Sequence, residues 1–165
     1  MEYWDAYTRD LQPIKGMMLT RGEPLPEGVY HLVCDVLVQH ADGTWLVMQR
    51  ARCKRNGGQW EATAGGSALS GESPRQCAER ELREETGVCA TDMQQLGRSY
   101  NDERHTVYVE FFCRTECAKD SVVLQEGETE GYRWVTTRQL AALRDEGTLT
   151  LRSRQLVAKA VEGWQ

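Results

Sequence analysis

Residues 65–88 read GGSALSGESPRQCAERELREETGV, and the fold turns on this stretch. Ser73 is a capping residue, Pro74 occupies a first helical position, Gln76 stands where a capping box places its amide, and Gly87 stands where a helix stops. The spacing predicts a helix from Pro74 to Thr86. On it Glu81, Glu84 and Glu85 fall at i, i+3 and i+4, so at about 100° per residue all three leave from roughly one face and their carboxylates converge. Cys77, Ala78 and Leu82 lie on or beside that face, which turns the glutamates toward the body of the protein. Like charges gathered so closely raise one another's pKa unless water screens them or a cation sits among them. Oxygen ligands of this kind suit a hard divalent ion, Mg²⁺ first and Mn²⁺ as the alternative. The competing reading is a solvated helix stitched by the pairs Arg80–Glu84 and Glu79–Arg83, each contributing roughly a few tenths of a kcal/mol.

Working outward, Trp60-Glu61-Ala62 precedes the glycines, and Gly65-Gly66 opens a loop that closes at Gly71-Glu72. Glycine at such positions lets backbone approach a ligand closely. Upstream, His31 to Gln39 and Thr44 to Arg50 are apolar runs joined by Ala41-Asp42-Gly43, two hairpin-linked strands. Between Arg50 and Gly58 lies a polar loop carrying Arg50, Arg52, Lys54 and Arg55, either a clamp for an anionic substrate or simply solvated. Residues 1–30 form an extension in which Tyr3 to Thr8 and Ile14 to Leu19 suggest a β-hairpin. Downstream, Thr106 to Arg114 and Tyr132 to Val135 are strand candidates, and Thr137 to Arg144 and Ser153 to Val161 show helical spacing. Interleaved strands and helices give a mixed α/β fold, and 165 residues without repeats or linkers suit one domain, 1–165.

A net charge of −5 provides no global field for nucleic acid, so a polymeric nucleic-acid partner is excluded. An acidic protein handling an anionic small molecule then needs local cations or bound metal. Six scattered cysteines lack paired zinc spacing. With no leader sequence and no membrane-length apolar run, they read as free thiols of a cytoplasmic protein.

Gly66, then Glu72, then Arg80-Glu81-Leu82-Arg83-Glu84-Glu85-Thr86-Gly87-Val88 resembles the Nudix box at every defining position. With seven fixed residue types at roughly 5 to 10% usage each, chance gives such a match about once in 10⁸ starting points. The resemblance implies an α/β/α sandwich with a mixed β-sheet and a divalent-metal-dependent hydrolase that cleaves a diphosphate linkage in a small nucleoside-diphosphate-like substrate. It implies Glu81, Glu84 and Glu85 as metal ligands together with the Gly65 carbonyl. Arg80 would brace a glutamate, Glu72 would be structural or an outer ligand, and Gly66 and Gly87 would shape the motif. A further glutamate on a late loop, Glu126 or Glu128 ahead of Glu130, would serve as base or ligand, unless that loop is merely acidic and solvated.

Two other readings remain open at this point. Ala64 stands where many Nudix hydrolases have proline, and the extension with Tyr30-His31 is similar to Nudix-fold relatives of isopentenyl-diphosphate isomerase. An isomerase would need a cysteine just ahead of the glycine, where this chain has Thr63-Ala64. A non-catalytic binding module would have lost box glutamates, and all are present. His31 and His105 read as structural more readily than functional, and Trp60 as core more readily than a base platform. The N-terminal segment, through Tyr3, Trp4 and Tyr7, is a candidate homodimer surface.

Overall fold

The computed structural model describes residues 1–162. Its centre is β3 (His31–His40), whose aliphatic residues reach both faces of a seven-stranded mixed sheet. On one edge β3 pairs in parallel with β8 (Thr106–Thr115), in unbroken register from His31↔Thr106 to His40↔Thr115. On the other it pairs antiparallel with β6 (Thr63–Ser67), from Val33↔Ser67 to Leu37↔Thr63. β4 (Trp45–Arg50) follows the predicted turn but keeps only Gln39↔Trp45 with β3, because β6 occupies the rest of that edge. It pairs instead with β5 (Trp60–Glu61) and β9 (Thr129–Val135). β7 (Asp92–Asn101) closes the far edge against β8.

The period of two along β3 sorts its side chains between two layers. Leu32, Cys34, Val36 and Val38 pack with Cys77, Ala78 and Leu82 of α1 (Pro74–Thr86). Leu37 turns the other way, with Phe112, toward Leu140 of α2 (Thr137–Asp145) and Leu156 and Val157 of α3 (Leu151–Glu162). Helices therefore cover both faces, and the architecture is the α/β/α sandwich the resemblance implies. The side chain of Val161, the end of the last predicted helix, and residues 163–165 of the predicted domain lie outside the described residues.

α1 has the expected ends. Ser73 Oγ accepts from Gln76 N at 3.3 Å while Gln76 Oε1 accepts from Ser73 N at 2.9 Å. Gly87, at φ 71°, donates to Arg83 O and stops the helix in a left-handed conformation that favours glycine.

β1 (Tyr3–Tyr7) and β2 (Pro13–Thr20) form a separate antiparallel hairpin. Trp4, read from sequence as exposed, is buried with Ala6, Leu19 and Val29 and stacks on His31 at 4.4 Å. A large aromatic ring on a two-stranded ribbon finds its burial only against the neighbouring sheet. The hairpin also grips the loop ahead of α1: Asp5 accepts from Ser70 Oγ at 2.7 Å and from Gly71 N at 2.8 Å. No helix among the described residues is long and apolar enough to cross a membrane.

Candidate active site

Arg80 is the hub of the α1 face. Its guanidinium donates twice to Glu72, at 2.7 and 2.9 Å, once to Glu81 at 2.6 Å, once to Glu84 at 3.1 Å and once to Ser67 O at 3.0 Å. The hydrogen bonds to Glu72, then that to Glu81, hold the Arg80 pKa well above its ordinary value despite burial. Arg80 in turn lowers that of Glu72, which also accepts from Leu69 N. The three carboxylates expected to converge from helical spacing take different partners: Arg80 draws Glu81 and Glu84 to itself while Glu85 turns to Gly65 N–H at 2.9 Å. Among the described residues no three acidic, histidine or cysteine side chains gather closely enough to hold a metal ion alone.

Two adjacent glycines shape the floor. A Cβ on Gly66 would meet the Glu81 carboxylate at 2.6 to 2.8 Å, so the glutamate lies directly over this backbone. A Cβ on Gly65 would collide with the Cys34 carbonyl and approach Asp35 Oδ1 at 2.9 Å.

Glu85 keeps some accessible surface as a residue, but its carboxylate lies deep. Burial raises its pKa well above the ordinary value; the Gly65 N–H opposes this, and the charges of Glu81, Glu61 and Glu128 add to it. Burial also raises Glu81 and Glu61. Each neighbour has a cation of its own: Glu81 pairs with Arg80, Glu61 with Arg50 at 2.8 Å and Glu128 with Lys54 at 2.6 Å. Among the described residues Glu85 has none.

The late-loop glutamates separate cleanly. Glu128 is the one whose charge reaches Glu85 and Glu61. Glu130 accepts from Arg52 N at 2.7 Å, with Arg52 Nε at 3.8 Å. Glu126 is exposed and makes no side-chain hydrogen bond or ion pair among the described residues.

Beside Glu61 opens a cleft of about 620 Å³. Arg50 and Arg55 of the predicted basic loop line it; Arg52 does not. Its other cations escaped sequence reading: Arg104 from the β7–β8 turn, and Arg152 and Lys159 from α3. Arg152 donates to Asp35 at 2.7 Å, Ser99 at 3.1 Å and Glu110 at 3.0 Å, and its guanidinium lies 4.0 Å from the Tyr108 ring centre. Glu110 is 1% exposed, and although burial raises its pKa, Lys159, Ser99 and Arg152 outweigh this and lower it. The available signal was Asp35 and Glu110 inside otherwise apolar strands.

The cysteines and the other residues weighed from sequence fall elsewhere. Cys53 is exposed, faces Gly127 O at 3.7 Å and does not line the cleft; no described cysteine does. Trp60 packs against the α2–α3 core with Arg133 over its ring at 4.2 Å. His105 contacts Val29 O at 2.9 Å.

The family model for the NUDIX domain matches residues 29–159, beginning just after the hairpin. The chain is similar to a Nudix hydrolase of Listeria monocytogenes, 32% identical over 149 residues that span 89% of this chain and 87% of the relative. It is similar to one of Listeria innocua at the same identity and coverage. Among solved structures it is similar to DR0079 from Deinococcus radiodurans, with a TM-score of 0.76 at 17% identity over 96% of this chain and 98% of that one. It is also similar to the NUDIX domain of Shewanella oneidensis NrtR, solved with ADP ribose, with a TM-score of 0.65 at 20% identity over 82% and 89% of the two chains.

Proposed function

Because this chain belongs to the Nudix hydrolase family and is a pyrophosphohydrolase, we propose that it cleaves the diphosphate linkage of a small nucleoside-diphosphate-like substrate with Mg²⁺ as its ion. The observation that carries this reading is Glu85, a deep carboxylate among three others and the one without a cationic partner among the described residues. Negative charge so placed is relieved either by a proton or by a cation. The donor set fits Mg²⁺, which takes a few carboxylates and completes its shell with water and substrate phosphate, so a closed cage of protein ligands is not required.

Glu81, Glu84, Glu85 and the Gly65 carbonyl would hold the ion, which would supply charge neutralisation at phosphate oxygens and a more acidic water. Arg80 fixes where Glu81 and Glu84 stand, and Glu72 fixes Arg80. Gly65 N–H orients Glu85. Glu128 is the general base of the reading: it lies within electrostatic reach of Glu85, and Lys54 holds its carboxylate. Arg50 and Arg55, which line the adjoining cleft, would meet the anionic substrate. The free thiols fit a reducing, cytoplasmic setting.

The test incubates the protein with Mg²⁺ and a panel of nucleoside triphosphates, dinucleotides, nucleotide sugars and isoprenoid diphosphates, with Glu84→Gln and Glu85→Gln beside it. Cleavage of one class by the wild type and its loss in both variants is expected. A folded protein that binds Mg²⁺ and cleaves nothing would sink the reading.

A further inference from the structure

The cleft beside Glu61 falls within the size range of small-molecule sites. Its cations converge from elements far apart in sequence: Arg50 and Arg55 around the end of β4, Arg104 in the β7–β8 turn, and Arg152 and Lys159 on α3. A solvated basic run would not produce that convergence. Glu61 neutralises Arg50, while Asp35 and Glu110 stand behind Arg152 and Lys159. Five cations thus face three carboxylates, leaving two positive charges on a chain whose net charge is −5. Arg55 and Arg104 are the two lining cations without an ion pair among the described residues.

Arg152 is held by three acceptors and its guanidinium carbon stands 4.0 Å from the Tyr108 ring centre, so an anchored cation and an aromatic ring line the wall beside Arg55 and Arg104. Guanidinium and aromatic groups stack on heterocycles, and guanidinium forks match phosphate oxygens. A phosphate monoester carries about −1.5 to −2 charges at neutral pH, the amount that two unneutralised arginines balance.

We propose that this cleft is a specificity subsite for a nucleotide bearing a phosphate monoester beyond the linkage that is cut, with Arg55 and Arg104 reading that phosphate. The proposal rests on the hydrolase reading only for which linkage is cut. The binding preference stands independently of turnover.

Calorimetry without Mg²⁺ would compare AMP with adenosine 2′,5′-bisphosphate and adenosine 3′,5′-bisphosphate. Wild type, Arg55→Ala, Arg104→Ala and Arg138→Ala, an equal loss of charge on α2 away from the cleft, would each be titrated, with circular dichroism to confirm folding. One bisphosphate should bind about tenfold or more tightly than AMP. Arg104→Ala and Arg55→Ala should each narrow the gap, and Arg138→Ala should leave it unchanged. Absent binding, equal affinities, or a preference that survives both cleft variants overturns the proposal; equal affinities would point to cations that serve the diphosphate itself, and a surviving preference to other groups that read the second phosphate.

Hydrolysis of NADPH and NADH with Mg²⁺ separates the two readings. Cleavage without a preference for either, alongside equal binding, removes the subsite and keeps the hydrolase. A bisphosphate preference in a protein that cleaves no member of the diphosphate panel keeps the subsite and removes the hydrolase.

Discussion

Gly66 and Glu81 compete for one volume: a Cβ on the glycine would stand 2.6 Å from the glutamate's Oε1. The obstacle is the tip of a side chain, which can move, whereas the obstacle to a Cβ on Gly65 is the carbonyl of Cys34 in the central strand. The two Gly→Ala variants should therefore fail differently. Gly66→Ala should fold with nearly unchanged stability and lose about 100-fold in kcat/KM, the scale of a 1 Å misplacement at a reacting centre. Gly65→Ala should lose about 1–3 kcal/mol of stability through forced backbone displacement. Thermal melts beside kinetics check this, and equal destabilisation in both variants would show that Glu81 has no freedom to yield.

Asp5 ties the hairpin to the loop that delivers Glu72. Its carboxylate accepts from Ser70 Oγ and Gly71 N, one residue before the glutamate that holds Arg80. Asp5→Ala should speed amide exchange across Ser70 to Glu72, cost roughly 1 kcal/mol of stability and lower kcat about tenfold through Arg80 rather than through substrate contact. Asp5→Asn, which keeps an acceptor, should recover part of both. Exchange at Gly71 as slow in Asp5→Ala as in the wild type would remove the hairpin from the chain of support.

What could be read from sequence follows the range of the forces involved. Ser73, Pro74, Gln76 and Gly87 act within one helical turn, so α1 was legible to its last residue. The partners of its glutamates were not, because spacing cannot say that the Arg80 fork prefers Glu72, Glu81 and Glu84 together. β6 was hidden because TAGGS lacks the side chains of a strand; Gly65 is there for close approach to β3, not for propensity. β7 was hidden because an edge strand with an exposed face can be as polar as a loop. The cleft was the least legible part: it depends on the register Asp35↔Glu110, which sets two buried carboxylates side by side for Arg152 to bridge.

For Glu85 the sign of the linkage follows from its raised pKa. The folded state holds the proton more tightly than the unfolded chain, whose ordinary value is 4.5, so this group's contribution is full below that value and is lost as pH rises toward the folded pKa. Without metal at pH 7.5, Glu85→Gln should therefore melt higher than the wild type by about 2–4 °C, the shift roughly 1 kcal/mol produces at this size. The advantage should shrink on acidification toward pH 5. Millimolar Mg²⁺ should raise the wild-type Tm and leave that of Glu85→Gln unmoved. An equal Mg²⁺ response in both proteins would place the ion elsewhere.

His31 reverses the sign. Its ring stacks on Trp4, stands 2.9 Å from Thr106 Oγ1, and burial pushes its pKa down to about 4 from an ordinary 6.5. The unfolded chain takes up the proton first, so the stability His31 provides is complete above about pH 6.5 and drains away as pH falls toward 4. Allowing for partial solvent access, the loss is on the order of 2 kcal/mol. Because Trp4 seats the hairpin on β3 through this ring, its fluorescence should change before the urea midpoint collapses. Urea titrations at pH 7.5, 6 and 5 should show a fall in the wild type that His31→Gln largely flattens. Parallel falls in the two proteins would assign the acid sensitivity to the carboxylates instead, and the hairpin would then be docked by packing alone.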